Sequence, residues 1–166
     1  MASGEIAVLF VCLGNICRSP TAHGVFEKRV AELGLEQQIR IDSAGTGDWH
    51  LGKQPDPRTI LAAQRGGYDL RHLRARQVTA LDFDLFDYIL AMDGKNLANL
   101  RAMQPRHFDG TLGLFLPFGQ GSLDEVPDPY AGGEEGFQQV LEMVERATDG
   151  LLTHLRAELL NAAGAS

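Results

Sequence analysis

Cys12 and Arg18 stand at the two ends of the segment Cys12-Leu13-Gly14-Asn15-Ile16-Cys17-Arg18-Ser19-Pro20. A thiol and a guanidinium that close together in one loop suit chemistry on an oxyanion. The guanidinium is a planar fork that binds two oxygens at once. A loop wrapped around a helix N-terminus also points several backbone N–H groups at one spot, and the helix dipole adds positive potential there. Residues Leu13, Gly14, Asn15, Ile16, Cys17, Arg18 and Ser19 would therefore cradle a phosphate or another oxyanion. The same field favours the thiolate form of Cys12. A thiolate beneath a bound phosphate is a nucleophile aimed at phosphorus. Taken alone, a cysteine ending a strand is usually a small core residue. Gly14, Asn15, Arg18, Ser19 and Pro20 in a single loop favour the chemical reading. The loop has one glycine and the chain has no Gly-Lys-Ser/Thr, so neither a GxGxxG nor a Walker loop is present.

Cleavage of a phosphate ester leaves an oxygen that needs a proton. Asp128 is the candidate donor. It lies in residues 126–133, where two prolines and two glycines in eight residues indicate a loop. Pro129 biases Asp128 toward extended backbone and stiffens its presentation. An Asp-Pro in a loop is ordinarily a turn; Asp128 stands out because a thiolate site needs an acid.

The elements that must position these groups are legible as alternating patterns. Ile6-Ala7-Val8-Leu9-Phe10-Val11 is a short apolar run and predicts a buried strand. Pro20 suits the first turn of a helix over Ser19–Leu33, with Ala22, Val25, Phe26, Arg29, Val30 and Leu33 at helical spacing and Gly34 as its stop. A second strand is expected over Gln38–Ser43. Asp56-Pro57 reads as a cap and first residue of a helix to Arg65, ended by Gly66-Gly67. A third strand follows at Tyr88–Met92, then a helix capped by Asp93 with Leu97, Leu100 and Met103 inward, then a fourth strand near Gly113–Pro117. The last helix, Glu135–Leu160, carries Phe137, Val140, Leu141, Val144, Leu151 and Leu155 on one face. Gly150 inside it has no sequence-level reason and costs about 1 kcal/mol relative to Ala. The alternation predicts an α/β fold with a parallel sheet. In such sheets ligands bind beyond the carboxyl ends of the strands, where Cys12 would lie.

At this point the residues resemble a known family. Cys12 to Pro20, Asp42-Ser43-Ala44-Gly45-Thr46, Ala75-Arg76-Gln77, the run Phe86 to Asp93 and Asp128-Pro129-Tyr130 resemble the low-molecular-weight protein tyrosine phosphatases in order and spacing. The resemblance implies a four-stranded parallel sheet in the order 2-1-3-4 with helices on both faces. It implies that Cys12 is the nucleophile, Arg18 the phosphate clamp and Asp128 the general acid and later base. Ser19 would hydrogen-bond the Cys12 sulfur. Asn15, Ser19 and Ser43 would support the loop. Trp49 and Tyr130, with Ile16, would wall in an aromatic ring. Cys17 would be the redox partner of Cys12. The sequence departs from the family in placing His72 one position early in His72-Leu73-Arg74-Ala75-Arg76, and in carrying His23 where Glu is common. The roles of both histidines stay open here.

The 166 residues suggest one phosphatase domain, 1–166, with 161–166 as a frayed tail. A net charge of −7 argues against nonspecific nucleic-acid binding. Residues 65–76 are rich in Arg and residues 124–149 in Asp and Glu, which predicts solvated faces. Two cysteines in one loop build neither a disulfide framework nor a zinc site, and no cofactor or metal is expected. No basic leader and no apolar run of about 18 residues appear, so the expectation is a cytoplasmic monomer without membrane contact. Its expected partners are phosphotyrosine-containing proteins.

Three rival activities share features of this loop. A thiol-linked arsenate reductase needs further cysteines, and none follows Cys17. A cysteine phosphocarrier needs no acid such as Asp128. A phosphoarginine phosphatase of the same family tends to carry a small Thr at the fifth loop position, where Ile16 stands here. The reading is hydrolysis of phosphotyrosine and small aryl phosphates through a cysteinyl-phosphate.

Overall fold

A computed structural model describes residues 5–164. Strand β1 (Ile6–Cys12) is buried along its whole length. It lies at the centre of a four-stranded sheet, with β2 (Ile39–Gly45) on one side and β3 (Tyr88–Ala91) then β4 (Thr111–Leu114) on the other. All pairings are parallel. The order 2-1-3-4 agrees with the expectation. Side chains alternate across a strand, so β1 feeds two cores. Val8, Phe10 and Cys12 face one side, packed under helices α1 (Arg18–Glu32) and α5 (Glu134–Gly164), with α2 (Pro57–Arg65) at its margin. Ala7, Leu9 and Val11 face the other side, under α3 (Asp82–Leu85) and α4 (Gly94–Met103). Phe10 anchors the first core by edge-to-face contacts with Phe26 at 5.5 Å and Phe115 at 5.0 Å. Such a ring buries enough apolar surface that truncating it to Ala costs about 3–5 kcal/mol.

Local chemistry sets the element ends. Asp56 caps α2 by accepting from the Arg58 N–H at 2.8 Å, and Asp93 caps α4 by accepting from the Asn96 N–H at 2.8 Å. Gly34 and Gly67 take positive φ just past α1 and α2, a region that costs glycine nothing. Leu33, expected as the last residue of α1, instead follows its last turn and is 44% exposed.

Several elements differ from expectation. β2 runs two residues further, because Cys12 pairs with Gly45 and carries the ladder to the site. β4 begins at Thr111 and ends at Leu114, because it pairs residue for residue with the four-residue β3. The stretch Leu116–Gly119, partly assigned to that strand, is a 3-10 turn; Pro117 has no N–H to give a ladder. The short helix α3 has no sequence signal long enough to detect. Residues 161–164, expected to fray, continue α5. Extending an existing helix adds a hydrogen bond per residue, and this stretch holds the good helix formers Ala162 and Ala163. Residues 165 and 166 lie outside the described residues. Among the described residues no helix is long and apolar enough to cross a membrane.

The two charged stretches lie largely at the surface, with some of their groups paired. Arg71 pairs with Asp69, and Arg29 with Asp149 and Glu145. Gly150, unexplained by sequence, has a tertiary cause. A Cβ there would sit 1.8 Å from the Phe118 carbonyl oxygen, because α5 lies directly against the 3-10 turn. Gly150→Ala should therefore destabilise the protein by about 1–3 kcal/mol through overpacking, although Ala is the better helix former. Urea unfolding of both proteins tests this; a more stable variant would contradict the close approach.

Candidate active site

β1 delivers Cys12 to the carboxyl edge of the sheet, and α1 begins six residues later. The intervening loop is tied down from outside by its carbonyls. The Cys12 carbonyl accepts from the Thr46 N–H at 2.9 Å, the Leu13 carbonyl from Gly47 at 2.9 Å, and the Ile16 carbonyl from Asp56 at 2.9 Å. A trans peptide holds the following N–H opposite its C=O, so carbonyls drawn outward turn N–H groups inward. Gly45 must be glycine, since a Cβ there would lie 2.7 Å from the Leu13 carbonyl oxygen.

Asn15 is the pivot of the loop. Its φ of 58° is left-handed, a conformation that Asn tolerates better than most residues. Three bonds hold it there. Its N–H donates to the Cys12 sulfur at 3.3 Å, its carboxamide nitrogen donates to Ser19 Oγ at 2.8 Å, and its carboxamide oxygen accepts from the Arg76 N–H at 3.0 Å. Ser19 Oγ lies 3.0 Å from Cys12 Sγ. Either atom can donate when Cys12 is a thiol; against a thiolate only the hydroxyl can. Arg76 is itself fixed by Asp42 at 3.0 Å and by Asp82 at 3.0 Å.

Arg18 is 3% exposed. Its guanidinium donates to Asp93 at 2.6 Å and to the Val126 carbonyl at 3.0 Å, and it comes within 3.8 Å of Asp128. Burial alone would raise the Asp93 carboxyl, but the Arg18 hydrogen bond and the Asn96 N–H outweigh it and hold the group below the usual carboxylate range. Asp128 stands at the rim, 46% of its side chain exposed, accepting from the Tyr130 N–H at 3.1 Å. A cavity of about 350 Å³ opens over these groups. Buried Cys12 and Arg18 form its depth, Leu13, Gly14 and Ile16 its sides, and Trp49, His50, Asp128 and Tyr130 its mouth. Trp49 is 67% exposed and Tyr130 50%, so both present rings to solvent.

The structure thus gathers Cys12, Arg18, Asp128, Ile16, Trp49 and Tyr130 around one cavity, and Asn15 and Ser19 beneath it. The Ser43 hydroxyl meets His23 Nδ1 at 2.9 Å. His72 is on the surface, 3.0 Å from Glu27, and does not reach the loop. Cys17 is buried, and burial pushes its thiol up to about 12. Cys12 is likewise buried in the cavity rather than exposed on the surface. Among the described residues no group of His, Cys, Asp and Glu could hold a metal ion.

Three contributors escaped sequence reasoning. Asp93 was read only as a helix cap. Its second role follows from register: Ala91 pairs with Val11, which puts the residue just past β3 beside the loop just past β1. Arg76 stands in the stretch Ala75-Arg76-Gln77 that carries the resemblance, but without a role there, since it acts through its backbone N–H. Arg58 pairs with buried Asp56 and lies 5.4 Å from the Tyr130 ring, which ties the start of α2 to the acid loop.

Removing one partner of a buried hydrogen-bonded charge costs about 1–3 kcal/mol. Asp93→Asn should lower stability by that order at neutral pH. Because the folded carboxyl titrates below its unfolded value of about 3.9, its contribution is complete above that value and fades as pH falls through the folded value. Urea unfolding should therefore separate variant and wild type at pH 7 and bring them together in acid. An equal gap at both pH values would mean that the ion pair is not its source.

The comparisons fit this geometry. The family described as low molecular weight phosphotyrosine protein phosphatase matches residues 7–161. A low molecular weight phosphotyrosine protein phosphatase of Schizosaccharomyces pombe is 47% identical over 135 residues, 80% of this chain and 86% of that protein. A low molecular weight protein-tyrosine-phosphatase of Streptomyces coelicolor is 44% identical, covering 92% and 94%. Among solved structures, a protein tyrosine phosphatase from Entamoeba histolytica with Hepes in the active site superposes with a TM-score of 0.88 at 38% identity, covering 92% of this chain and 98% of that one. The chain belongs to the low molecular weight phosphotyrosine protein phosphatases, a family of cysteine-dependent hydrolases.

Proposed function

We propose that this protein hydrolyses phosphotyrosine in proteins, and small aryl phosphates, through a phosphate carried on Cys12. The observation that carries the reading is the placement of Cys12, Arg18 and Asp128 around one cavity, with the Ser19 hydroxyl 3.0 Å from the sulfur. The phosphoryl oxygens sit on the loop N–H groups and the Arg18 fork, which stabilise charge in the transition state. The Cys12 thiolate attacks phosphorus; the S–P bond forms as the P–O bond to the phenol breaks, and Asp128 gives its proton to that oxygen. Water then attacks phosphorus, Asp128 takes its proton, and the S–P bond breaks with Ser19 donating to the departing sulfur. Phosphate leaves and the thiolate is restored.

Ile16 at the side and Trp49 and Tyr130 at the mouth favour a flat aromatic ring over a guanidinium. An arsenate reductase would need cysteines beyond Cys17, and the chain has none. We read the whole chain as one catalytic unit acting as a monomer in the reducing cytoplasm, where a working thiolate persists.

Cys12→Ser should abolish turnover while phosphate still binds, since the loop donors remain. Asp128→Ala should slow hydrolysis by roughly 10²–10⁴, and less for leaving groups acidic enough to depart unprotonated. Steady-state kinetics on a series of aryl phosphates, with phosphotyrosine, phosphoserine and phosphoarginine peptides in parallel, read both effects. Turnover by Cys12→Ser excludes the covalent route; preference for phosphoarginine excludes the substrate.

The redox reading belongs to the same proposal. Peroxide would oxidise the Cys12 thiolate to a sulfenic acid while being reduced to water. The Cys17 thiol could then displace water from it to form a disulfide. Held protonated by burial, Cys17 is a slow nucleophile at rest, so this capture competes with further oxidation. After equal peroxide exposure, dithiol reductant should restore wild type more fully than Cys17→Ser. Equal recovery would reduce Cys17 to a packing residue.

A further inference from the structure

His23 is a buried titratable group that the reaction does not use. It lies on α1 one turn beyond Ser19, and residues four apart share a helix face. Its Nδ1 is 2.9 Å from the Ser43 hydroxyl on β2. The next residue along β2, Ala44, accepts from Ser19 Oγ at 3.4 Å. The residue after that, Gly45, lies against the Leu13 carbonyl. The Ser19 to Ala44 contact lapses when the hydroxyl donates to the sulfur, so the Ser43 to His23 bond, one turn further on, is the side-chain bond that ties α1 to the stretch of β2 that shapes the loop.

Burial keeps the His23 ring neutral by pushing its pKa below the ordinary value, against the upward pull of the Glu27 and Asp42 carboxylates. Glu27 lies 3.8 Å from the other ring nitrogen, Nε2. A carboxylate on that side favours the ring proton there, which leaves Nδ1 as an acceptor and Ser43 as the donor. His72, 3.0 Å from the other Glu27 oxygen, keeps that carboxylate in place at the surface.

We propose that His23 is a positioning residue: the Ser43 to His23 bond sets the register of α1 on β2 and thereby holds the Ser19 hydroxyl at the Cys12 sulfur. The inference rests on Cys12 being the nucleophile. Misplacing a group by a fraction of an ångström at such a site costs rate rather than binding. Arg18, although also on α1, is held separately by Asp93 and the Val126 carbonyl, and the loop backbone by Thr46, Gly47 and Asp56, so phosphate affinity should be spared.

The test uses His23→Leu, Ser43→Ala, their combination and His23→Asn, with three readouts: kcat on an aryl phosphate, inhibition by inorganic phosphate, and the pH dependence of Cys12 alkylation by iodoacetate. His23→Leu and Ser43→Ala should each lower kcat by roughly tenfold, leave phosphate inhibition nearly unchanged, and move alkylation to higher pH. The double variant should be no worse than either single one, because both remove one bond. His23→Asn, which returns an acceptor near Nδ1, should recover part of the loss. An unmoved alkylation profile, or additive losses that track only melting temperature, would overturn the role. Should His23→Leu fail to fold, Ser43→Ala decides by the same alkylation profile. Turnover by Cys12→Ser would refute the nucleophile instead; an unshifted profile with activity still dependent on Cys12 refutes His23 alone.

Discussion

The guanidinium of Arg18 is a full positive charge with almost no access to water. Burying such an ion costs several kcal/mol unless charge and hydrogen bonds replace its hydration. Here the replacements come from far apart in the chain: the Asp93 carboxylate at the start of α4, the Val126 carbonyl, and Asp128 at the rim. The sheet order follows this need. β1 and β3 are neighbours, so their carboxyl ends deliver Cys12 and Asp93 side by side. The charge is thus fixed in direction and shielded from water.

The loop around that charge is held by a hierarchy of contacts. Asn15 in the left-handed region stores about 1–2 kcal/mol of backbone strain, and it persists because its carboxamide is bonded at both ends. One end reaches Ser19, and through it the Cys12 sulfur; the other reaches the backbone of Arg76. Arg76 is braced by two carboxylates, one from β2 and one from α3. The short helix α3, which carries no chemistry itself, thus steadies the loop from two contacts away.

The mouth is built on other terms. Trp49 and Tyr130 expose half or more of their surface, so little packing fixes their rings. Arg58 limits that freedom. It is bidentate to buried Asp56, donates to the Gly132 carbonyl at 3.3 Å, and lies near the Tyr130 ring. The acid loop is therefore tethered to the helix that also receives the Ile16 carbonyl through Asp56. The cavity thus combines a braced floor with a tethered rim.

The groups proposed to carry the chemistry were legible because they lie close in sequence or in a compositionally distinct loop. Cys12 to Ser19 span a single strand-to-helix turn, and Asp128 sits among prolines and glycines. The parallel α/β class, the helix caps at Asp56 and Asp93, and most of the strands followed from periodicity and capping chemistry. What remained hidden are bonds between segments tens of residues apart. That Ser43 meets His23 depends on the height of α1 over β2, which no local pattern encodes. Asp93 acts on Arg18 only because β3 pairs beside β1, and Gly150 is needed only because α5 lies on the Phe118 carbonyl. Sequence by itself determined which atoms could react; the tertiary structure decided which neighbours hold them, because those distances are set by sheet register and helix packing.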